Sequence, residues 1–316
     1  MSDIAVLSVA EFPPFLNEPL RAAFEVHDRI HQGDPAALAK VSPRIRGIAA
    51  SGGSTVSAEL MDRLPALEII SVMGVGYDGI DVAAAKARGV VVTHTPGVLN
   101  DDVADLALAL MLDVSRGLST SDRYVRAGRW AKEGNLPLAS KVSGARLGIV
   151  GMGRIGQAIA GRAKGFSMSI AYTARSKKDD LAYRYFPSAE ALAAESDFLV
   201  VITPGGASTR KMIDAAVLRA LGPKGILINV ARGSVVDEAA LIEALRSGTI
   251  AGAGLDVFED EPRVPEALRA MDNVVLTPHI GSATHQTRQA MADLTRANLE
   301  AHFGGRPLLT PVPECT

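Results

Sequence analysis

Hydrophobic and polar positions alternate in two different ways along the chain. Short runs of β-branched and other apolar residues are followed by longer Ala- and Leu-rich stretches with helical spacing. Uniformly apolar strands linked by amphipathic helices are typical of βαβ units, in which helices cover both faces of a parallel sheet. The sequence therefore predicts an α/β fold. In its first third it predicts strands at 4–9, 45–50, 67–73 and 90–94, and helices at 57–64 and 82–88.

The pattern changes after residue 100. Residues 101–128 predict one long helix that begins with acidic residues and carries apolar residues on more than one side, so it needs burial between domains or against a partner subunit. Further strands are predicted at 147–150, 169–173, 198–202, 226–230, 252–257 and 273–276. A last helix at 285–303 has no strand after it, so we expect it to pack on the first domain. With 316 residues and 47% hydrophobic content, the chain is long enough for two cores.

Charge and cysteine content narrow the possible partners. The net charge of −2 argues against nucleic acid and against a polybasic membrane anchor, and favours a small neutral or anionic ligand. The single cysteine, Cys315, excludes a disulfide framework and a Cys-rich metal site, and no His/Asp/Glu spacing suggests another metal site. No apolar window approaches the length of a membrane span. We expect a soluble protein of the reducing cytoplasm.

A glycine-rich loop carries the first chemical signal. In "LGIVGMGRIGQAIAGRAKGF", Gly151, Gly153 and Gly156 follow an apolar strand and open an amphipathic helix. The first glycine permits a tight turn, the second lets the backbone approach a pyrophosphate, and the third allows close packing of the helix. The loop therefore predicts dinucleotide binding.

The next strand lacks the acid that usually binds a ribose 2′-hydroxyl. No Asp or Glu occurs between residues 135 and 178, and Arg175, Ser176 and Lys177 cluster at the strand end in "AYTARSKK". A carboxylate would repel a 2′-phosphate, whereas a guanidinium and a hydroxyl can donate hydrogen bonds to it. The sequence therefore favours NADP(H) as the cofactor. The alternative is an ordinary solvated basic turn.

Later strands end in polar residues that can serve an active site. They are Arg232 in "INVARGSVVDE", Asp256 and Glu261 in "AGAGLDVFEDEP", and His279 in "VVLTPHIGSAT". Ligands of open α/β sheets bind at the carboxyl ends of strands. Taken singly, each residue has an ordinary alternative, such as a loop histidine or an exposed acid. The remaining histidines, including His94, lack such a setting, and we interpret them as structural.

Together with the glycine loop, these residues resemble the D-2-hydroxyacid dehydrogenase family. The resemblance extends from "VMGVGYDGIDVAAA" through "PGVLNDDVADLALALML" to "NLEAHFGGRPLL", and so covers nearly the whole chain. Within the family the chain looks most like the NADPH-dependent glyoxylate/hydroxypyruvate reductases and the hydroxyphenylpyruvate reductases, which are similar in the "ARSKK" turn. The resemblance implies a Rossmann coenzyme domain, 99–284, inserted in a discontinuous flavodoxin-like substrate domain, 1–98 plus 285–316. It also implies a homodimer, with 101–128 as the dimerisation helix.

The resemblance implies a role for each site residue. His279 would be the general acid, Glu261 would stand behind it and favour the imidazolium, and Arg232 would bind the substrate carboxylate and polarise the keto group. The amides of Val75 and Gly76 would complete the carboxylate site. Asp256 would orient the nicotinamide amide. Cofactor contacts are implied for Gly151, Gly153, Arg154, Ile155, Gly156, Arg175, Ser176, Lys177, Val230, Arg232, Asp256, His279 and Gly281.

The resemblance leaves the substrate open. We expect NADPH-dependent reduction of glyoxylate or hydroxypyruvate to a D-2-hydroxy acid, with bulkier arylpyruvates such as 4-hydroxyphenylpyruvate as the alternative. A non-catalytic dinucleotide sensor is a further alternative, although a sensor needs no proton donor. Trp130, which follows the long helix, is either a core residue or a residue that reaches the partner's active site.

Overall fold

A computed structural model describes residues 3–33 and 35–315. The strands are β1 (Ala5–Ser8), β2 (Glu25–Asp28), β3 (Ile45–Ser51), β4 (Ile69–Met73), β5 (Val91–Thr93), β6 (Arg146–Val150), β7 (Ser169–Thr173), β8 (Arg184–Tyr185), β9 (Phe198–Val201), β10 (Ile226–Asn229), β11 (Gly252–Leu255) and β12 (Val274–Leu276). The helices are α1 (Pro14–Ala23), α2 (Pro35–Val41), α3 (Ala58–Asp62), α4 (Val82–Ala87), α5 (Asn100–Arg116), α6 (Leu118–Arg126), α7 (Trp130–Glu133), α8 (Arg154–Lys164), α9 (Ala189–Ala193), α10 (Ala215–Leu221), α11 (Glu238–Arg246), α12 (Glu266–Arg269) and α13 (His285–Phe303).

The chain divides into two compact units. The first comprises Met1–Leu99 and Ala283–Thr316, and the second is the continuous segment Asn100–Ser282. Each unit has its own parallel sheet, with five strands in the first unit and seven in the second. The predicted α/β class with two doubly wound sheets is therefore confirmed.

The first unit has the strand order β2-β1-β3-β4-β5, which is the flavodoxin-like order. The central strands β1, β3 and β4 are almost entirely buried, as expected for a sheet with both faces covered. Helix α13 packs on this sheet: the Ser71 hydroxyl of β4 donates a hydrogen bond of 2.9 Å to the carbonyl of Thr295. A Cβ at Gly47 of β3 would lie only 3.4 Å from both Leu299 and Phe303, so the glycine lets the helix approach closely.

The second unit has the strand order β12-β11-β10-β9-β6-β7-β8, all parallel. The order from β8 to β11 is that of a Rossmann sheet, and β12 extends it by one strand. The strand order reverses between β6 and β9, which is where such sheets bind their ligands. Helix α5 packs on α8, and the Arg162 guanidinium of α8 forms ion pairs with Asp101 and Asp105 of α5.

The prediction of one helix over 101–128 was wrong, because α5 and α6 are separate helices. The break lies at Gly117, which adopts a left-handed conformation with φ 59°. The Asp113 carboxylate accepts hydrogen bonds from the backbone N–H and the hydroxyl of Ser119, which fixes the turn. The dimerisation segment that we expect is therefore a pair of helices.

The sheets also contain edge strands that the pattern did not predict. Strand β2 is partly exposed along its length, and β8 is only two residues long, so neither gives an apolar run. Within the described residues, none of the helices has the length and apolar character needed to cross a bilayer.

Candidate functional site

The glycine loop lies at the point where the strand order reverses. Gly151 follows β6 with a φ of 107°, a backbone conformation that residues other than glycine rarely adopt. A Cβ at Gly151 would lie 2.8 Å from the carbonyl oxygen of Ile202, just beyond β9. A Cβ at Gly156 would lie 2.1 Å from the carbonyl oxygen of Gly151. Both positions therefore require glycine, and together they bring the start of α8 against the end of β6.

The N-terminus of α8 is open to an anion. Gly153 precedes the helix, no side chain caps the helix start, and a Cβ at Gly153 would meet nothing within 4 Å. The N–H groups of a first helical turn have no partner within the helix, and the helix dipole makes this end positive. The exposed Arg154 adds a charge at the first helical position. The N–H groups of the first turn, the open space at Gly153 and the charge of Arg154 therefore fit the pyrophosphate of a dinucleotide.

The basic turn follows the neighbouring strand β7. Arg175, Ser176 and Lys177 are all exposed there, and in the described part of the chain Arg175 forms no ion pair. The buried Tyr172 shapes the turn, since its phenol oxygen accepts a hydrogen bond of 2.7 Å from the N–H of Lys178. The turn thus presents a guanidinium and a hydroxyl at the end of the strand, and this donor set fits a 2′-phosphate.

Arg232 lies in a turn that Asn229 holds at the end of β10. The Asn229 side chain accepts a hydrogen bond from the N–H of Ala231 and donates one to the carbonyl of Arg232, both at 3.1 Å. A Cβ at Gly233 would lie 1.9 Å from the carbonyl carbon of Phe258. Because Gly233 has no side chain, the turn that contains Arg232 packs directly against the backbone that follows β11.

Glu261 and His279 form a hydrogen-bonded pair. The distance between Glu261 Oε2 and His279 Nδ1 is 2.7 Å, and Glu261 Oε1 accepts a hydrogen bond of 3.0 Å from the N–H of Phe258. Burial raises the pKa of the Glu261 carboxyl, but the hydrogen bonds and the charges of His279 and Arg232 outweigh burial and lower it below its ordinary value. The charges of His279 and Arg232 therefore both act on the Glu261 carboxyl.

The backbone of His279 is left-handed, with φ 52°, and Asp256 holds the segment around it. The buried Asp256 carboxylate accepts hydrogen bonds from the Thr277 hydroxyl at 2.7 Å, the N–H of Ile280 at 2.8 Å and the N–H of Gly281 at 2.9 Å. Burial raises the pKa of Asp256, and these donors act against that rise. Asp256 therefore fixes the loop that carries His279, and its contact with a nicotinamide amide stays a prediction.

In the first unit, Val75 and Gly76 lie in the segment that follows β4. Among residues 3–33 and 35–315, neither of their amides donates a hydrogen bond, so both are available to a carboxylate. The carbonyl of Val75 is 2.9 Å from Nδ1 of His94. His94, which the sequence suggested was only structural, thus contacts a predicted substrate-binding residue.

The second unit brings the three predicted catalytic residues together, and it places the glycine loop and the basic turn after adjacent strands. Sequence reasoning missed the residues that support the site: Asn229, Gly233 and Thr277. A weak signal existed for Asn229, because an Asn at the end of an apolar strand, three residues before a candidate Arg, is well placed to hold a turn. The described residues contain no cluster of His, Cys, Asp and Glu that could hold a metal ion.

Comparison with known proteins gives consistent results. A family model described as "D-isomer specific 2-hydroxyacid dehydrogenase, NAD binding domain" matches residues 108–281. The chain is 48% identical over 315 residues to hydroxyphenylpyruvate reductase of Plectranthus scutellarioides, covering 99% of this chain and 100% of that protein. It is 47% identical over 313 residues to glyoxylate/hydroxypyruvate reductase A of Arabidopsis thaliana, with coverage of 99% and 100%.

A solved structure of a similar protein matches the fold over nearly the whole length of the chain. An NADPH-dependent glyoxylate/hydroxypyruvate reductase from Sinorhizobium meliloti, in complex with NADP and malonate, superimposes with a TM-score of 0.94 at 48% identity. The match covers 99% of this chain and 98% of that chain.

Proposed function

Because the chain belongs to the D-isomer specific 2-hydroxyacid dehydrogenase family, an oxidoreductase family that uses NAD(P), we propose that it reduces small 2-keto acids with NADPH. Glyoxylate and hydroxypyruvate are the proposed substrates, and the products are D-2-hydroxy acids. The observation that carries the proposal is the hydrogen bond between His279 and Glu261, close to the charge of Arg232. The names of the Arabidopsis and Sinorhizobium relatives support the choice of substrate.

NADPH, when bound, supplies the hydride that reduces the keto carbon. The chain must then supply a proton to the keto oxygen, and we propose that it comes from Nε2 of the His279 imidazolium. A carboxylate only accepts hydrogen bonds, so Nδ1 of His279 keeps its hydrogen and donates it in the hydrogen bond to Glu261. The proton that leaves the ring is the one on Nε2. The ring thus ends the reaction neutral and correctly oriented, and it takes up a new proton from water.

Arg232 is proposed to bind the substrate carboxylate and to polarise the keto oxygen. Its planar guanidinium offers several donors in a fixed geometry, and the Asn229 contacts hold its backbone in place. The amides of Val75 and Gly76 are proposed as further carboxylate donors, because they are not engaged within the described chain.

We propose that the segment 99–284 is the NADPH-binding domain and that 1–98 plus 285–316 form the substrate domain, which contains Val75 and Gly76. Replacing Arg175 by Asp would put a carboxylate where the 2′-phosphate is proposed to bind. The Kd for NADPH, measured by nucleotide fluorescence, should rise on the order of 10- to 100-fold, because a charge-assisted hydrogen bond is lost and a like charge is added. The Kd for NADH should change by less than about threefold. Equal losses for both nucleotides would contradict the assignment.

The reaction is tested by NADPH oxidation with glyoxylate, hydroxypyruvate and 4-hydroxyphenylpyruvate in parallel. A His279→Ala variant should lose on the order of 10²- to 10⁴-fold in kcat while it keeps its affinity for NADPH. The matched control is His285→Ala, which removes an exposed histidine at the start of α13 and should leave kcat unchanged. Wild-type turnover in the His279→Ala variant would remove this residue from the mechanism.

The same assay decides between the alternatives. A higher kcat/KM for 4-hydroxyphenylpyruvate would favour the bulkier substrate, as the name of the Plectranthus relative suggests. NADPH binding without turnover of any 2-keto acid would instead indicate a dinucleotide sensor.

We also propose a homodimer and a cytoplasmic location. Leu118, Val125, Trp130 and Leu138 are exposed apolar residues on α6, α7 and the loop after them, and a second copy of the chain would cover them. Sedimentation equilibrium should give twice the monomer mass. The single cysteine, Cys315, suits a reducing compartment.

A further inference from the structure

His94 holds one carbonyl of the segment that is proposed to bind the substrate carboxylate. It follows β5, it is partly buried, and its Nδ1 lies 2.9 Å from the carbonyl oxygen of Val75. A carbonyl oxygen only accepts hydrogen bonds, so Nδ1 carries the hydrogen. The next residue, Thr95, donates its backbone N–H to the carbonyl of Gly74 at 2.8 Å. Residues 94 and 95 thus hold two consecutive carbonyls, those of Gly74 and Val75.

This arrangement fixes the direction of two amide groups. In a trans peptide the C=O of one residue and the N–H of the next lie in one plane and point in opposite directions. The carbonyl of Gly74 shares its peptide group with the N–H of Val75, and the carbonyl of Val75 shares its peptide group with the N–H of Gly76. Each carbonyl that is held by residue 94 or 95 therefore fixes the N–H of its own peptide group, which points away from its hydrogen-bond donor. A hydrogen bond to the carbonyl also polarises the peptide group and strengthens its N–H as a donor.

His94 is itself held by the C-terminal part of the chain. Its backbone N–H donates to the carbonyl of Thr310 at 3.1 Å, and its carbonyl accepts from the Thr310 hydroxyl at 2.6 Å. Asn298 of α13 fixes Thr310 in turn, through a bond of 2.8 Å to the hydroxyl and one of 3.2 Å from the N–H. The backbone that carries the imidazole is therefore held in place by Thr310 and Asn298.

Tyr77 also contacts the imidazole of His94. Its ring meets that of His94 edge-on, with the centroids 5.3 Å apart, and its hydroxyl donates a hydrogen bond of 3.1 Å to Glu314. The segment from Gly74 to Tyr77 is therefore anchored at both ends by residues outside it.

We propose that His94 is a positioning residue, which aims the Gly76 amide at the substrate carboxylate through its hydrogen bond to the Val75 carbonyl. The proposal rests on the proposed function, because it takes Val75 and Gly76 as carboxylate donors. Its consequence is specific: loss of the His94 donor weakens binding of the keto acid and leaves NADPH binding intact.

The test compares substitutions that keep or remove the donor. His94→Asn places an N–H donor the same number of bonds from the backbone, whereas His94→Leu has none. His94→Leu should raise the KM for glyoxylate about five- to tenfold, with kcat and the NADPH Kd within about twofold of wild type. His94→Asn should restore KM to within about threefold of wild type. His94→Asp, which is isosteric with Asn and lacks the donor when ionised, replaces His94→Leu if the apolar variant does not fold.

The matched control is His302→Leu. His302 is also partly buried in the first unit and bonds through its ring, but to Glu68, which precedes β4. His94 and Val75 lie beyond the opposite end of the sheet. His302→Leu should lower the thermal unfolding temperature without changing the KM for glyoxylate.

A binding measurement separates this proposal from the proposed function. Titration of the NADP-loaded protein with malonate, a carboxylate that is not reduced, should show the same loss in His94→Leu and recovery in His94→Asn. A wild type that binds malonate but reduces no 2-keto acid would overturn the proposed function and still leave His94 testable. The positioning role is overturned if His94→Leu leaves malonate affinity unchanged, if His94→Asn is as impaired as His94→Leu, or if His302→Leu has an equal effect.

Discussion

Replacing Asp256 by Asn tests how the His279 loop is held. The substitution keeps the shape of the side chain and removes its charge and one acceptor. An Asn oxygen in the place of Oδ1 can still accept from the Thr277 hydroxyl and from the N–H of Ile280. The NH₂ group then faces the N–H of Gly281 across the 2.9 Å now spanned by a hydrogen bond, so two donors oppose each other.

The magnitude follows from the bonds that change. Losing one hydrogen bond to a charged acceptor costs about 1.5–3 kcal/mol, and a buried N–H is left without a partner. Part of this loss is offset, because burial raises the pKa of Asp256 and an uncharged amide does not bear that burial cost. We expect the free energy of unfolding to fall by about 2 kcal/mol. The left-handed backbone of His279 persists only while its surroundings hold it, so the loop should relax first.

The assay measures kcat, the NADPH Kd and urea unfolding for the same variant. If the native conformation of the His279 loop is destabilised by about 2 kcal/mol, kcat should fall about 10- to 30-fold. Asp214→Asn is the matched control: Asp214 caps α10 by accepting from two backbone N–H groups, and Asn caps helices equally well. The reasoning is refuted if Asp256→Asn keeps kcat and stability within error of wild type. A raised NADPH Kd with normal kcat and stability would instead indicate that Asp256 acts on the cofactor.

Two further predictions concern the neighbouring turns. In Gly233→Ala the new Cβ would lie 1.9 Å from the carbonyl carbon of Phe258 and 2.4 Å from the backbone nitrogen of Glu259. Because both are backbone atoms, we expect the unfolding free energy to fall by about 3 kcal/mol or more. A variant whose unfolding free energy stays within about 1 kcal/mol of wild type would contradict this contact. The pKa of Glu261 is lower in the folded state than its ordinary value of 4.5. The ionised carboxylate therefore stabilises the fold at pH values above 4.5, and this stabilisation is lost as the pH falls through the lowered pKa. Glu261→Gln should therefore unfold at lower urea concentration than wild type at about pH 7, and the difference should shrink at about pH 4; a difference independent of pH would exclude an ionised Glu261–His279 pair.

The sequence predicted the elements that carry a clear apolar pattern, even where their burial is incomplete. The last helix was predicted as 285–303 and is found as His285–Phe303, and the strand at 169–173 is found as Ser169–Thr173. The elements that were missed lie at edges or break the pattern. Strand β2 reads "EVHD" and is only partly buried, so no alternation or apolar run marks it. The break at Gly117 was missed because a single glycine is tolerated inside a helical pattern.

For the site, residue types were predictable and their supports were not. His279 and Glu261 were assigned to the site through the resemblance to the dehydrogenase family, because a loop histidine or an exposed acid is the ordinary reading of each residue alone. The roles of Gly233 and Asp256 depend on which backbone atoms approach them, and those atoms belong to segments about 25 residues further along the chain. Such approaches are set by strand order and loop path, and no local pattern records them.

The order β10-β11-β12 explains why these distant residues meet. Arg232 follows β10, Asp256 and Glu261 follow β11, and His279 follows β12, and neighbouring parallel strands end at the same edge of the sheet. Proximity therefore comes from the sheet itself, whereas orientation comes from three local devices. Gly233 lets the Arg232 turn pack directly on the backbone after β11, and Asn229 holds the backbone of Arg232. The buried Asp256 carboxylate holds the loop of His279, whose backbone is left-handed. Because orientation depends on these contacts, substitutions at Asn229, Gly233 or Asp256 should impair turnover even where the three proposed catalytic side chains are intact.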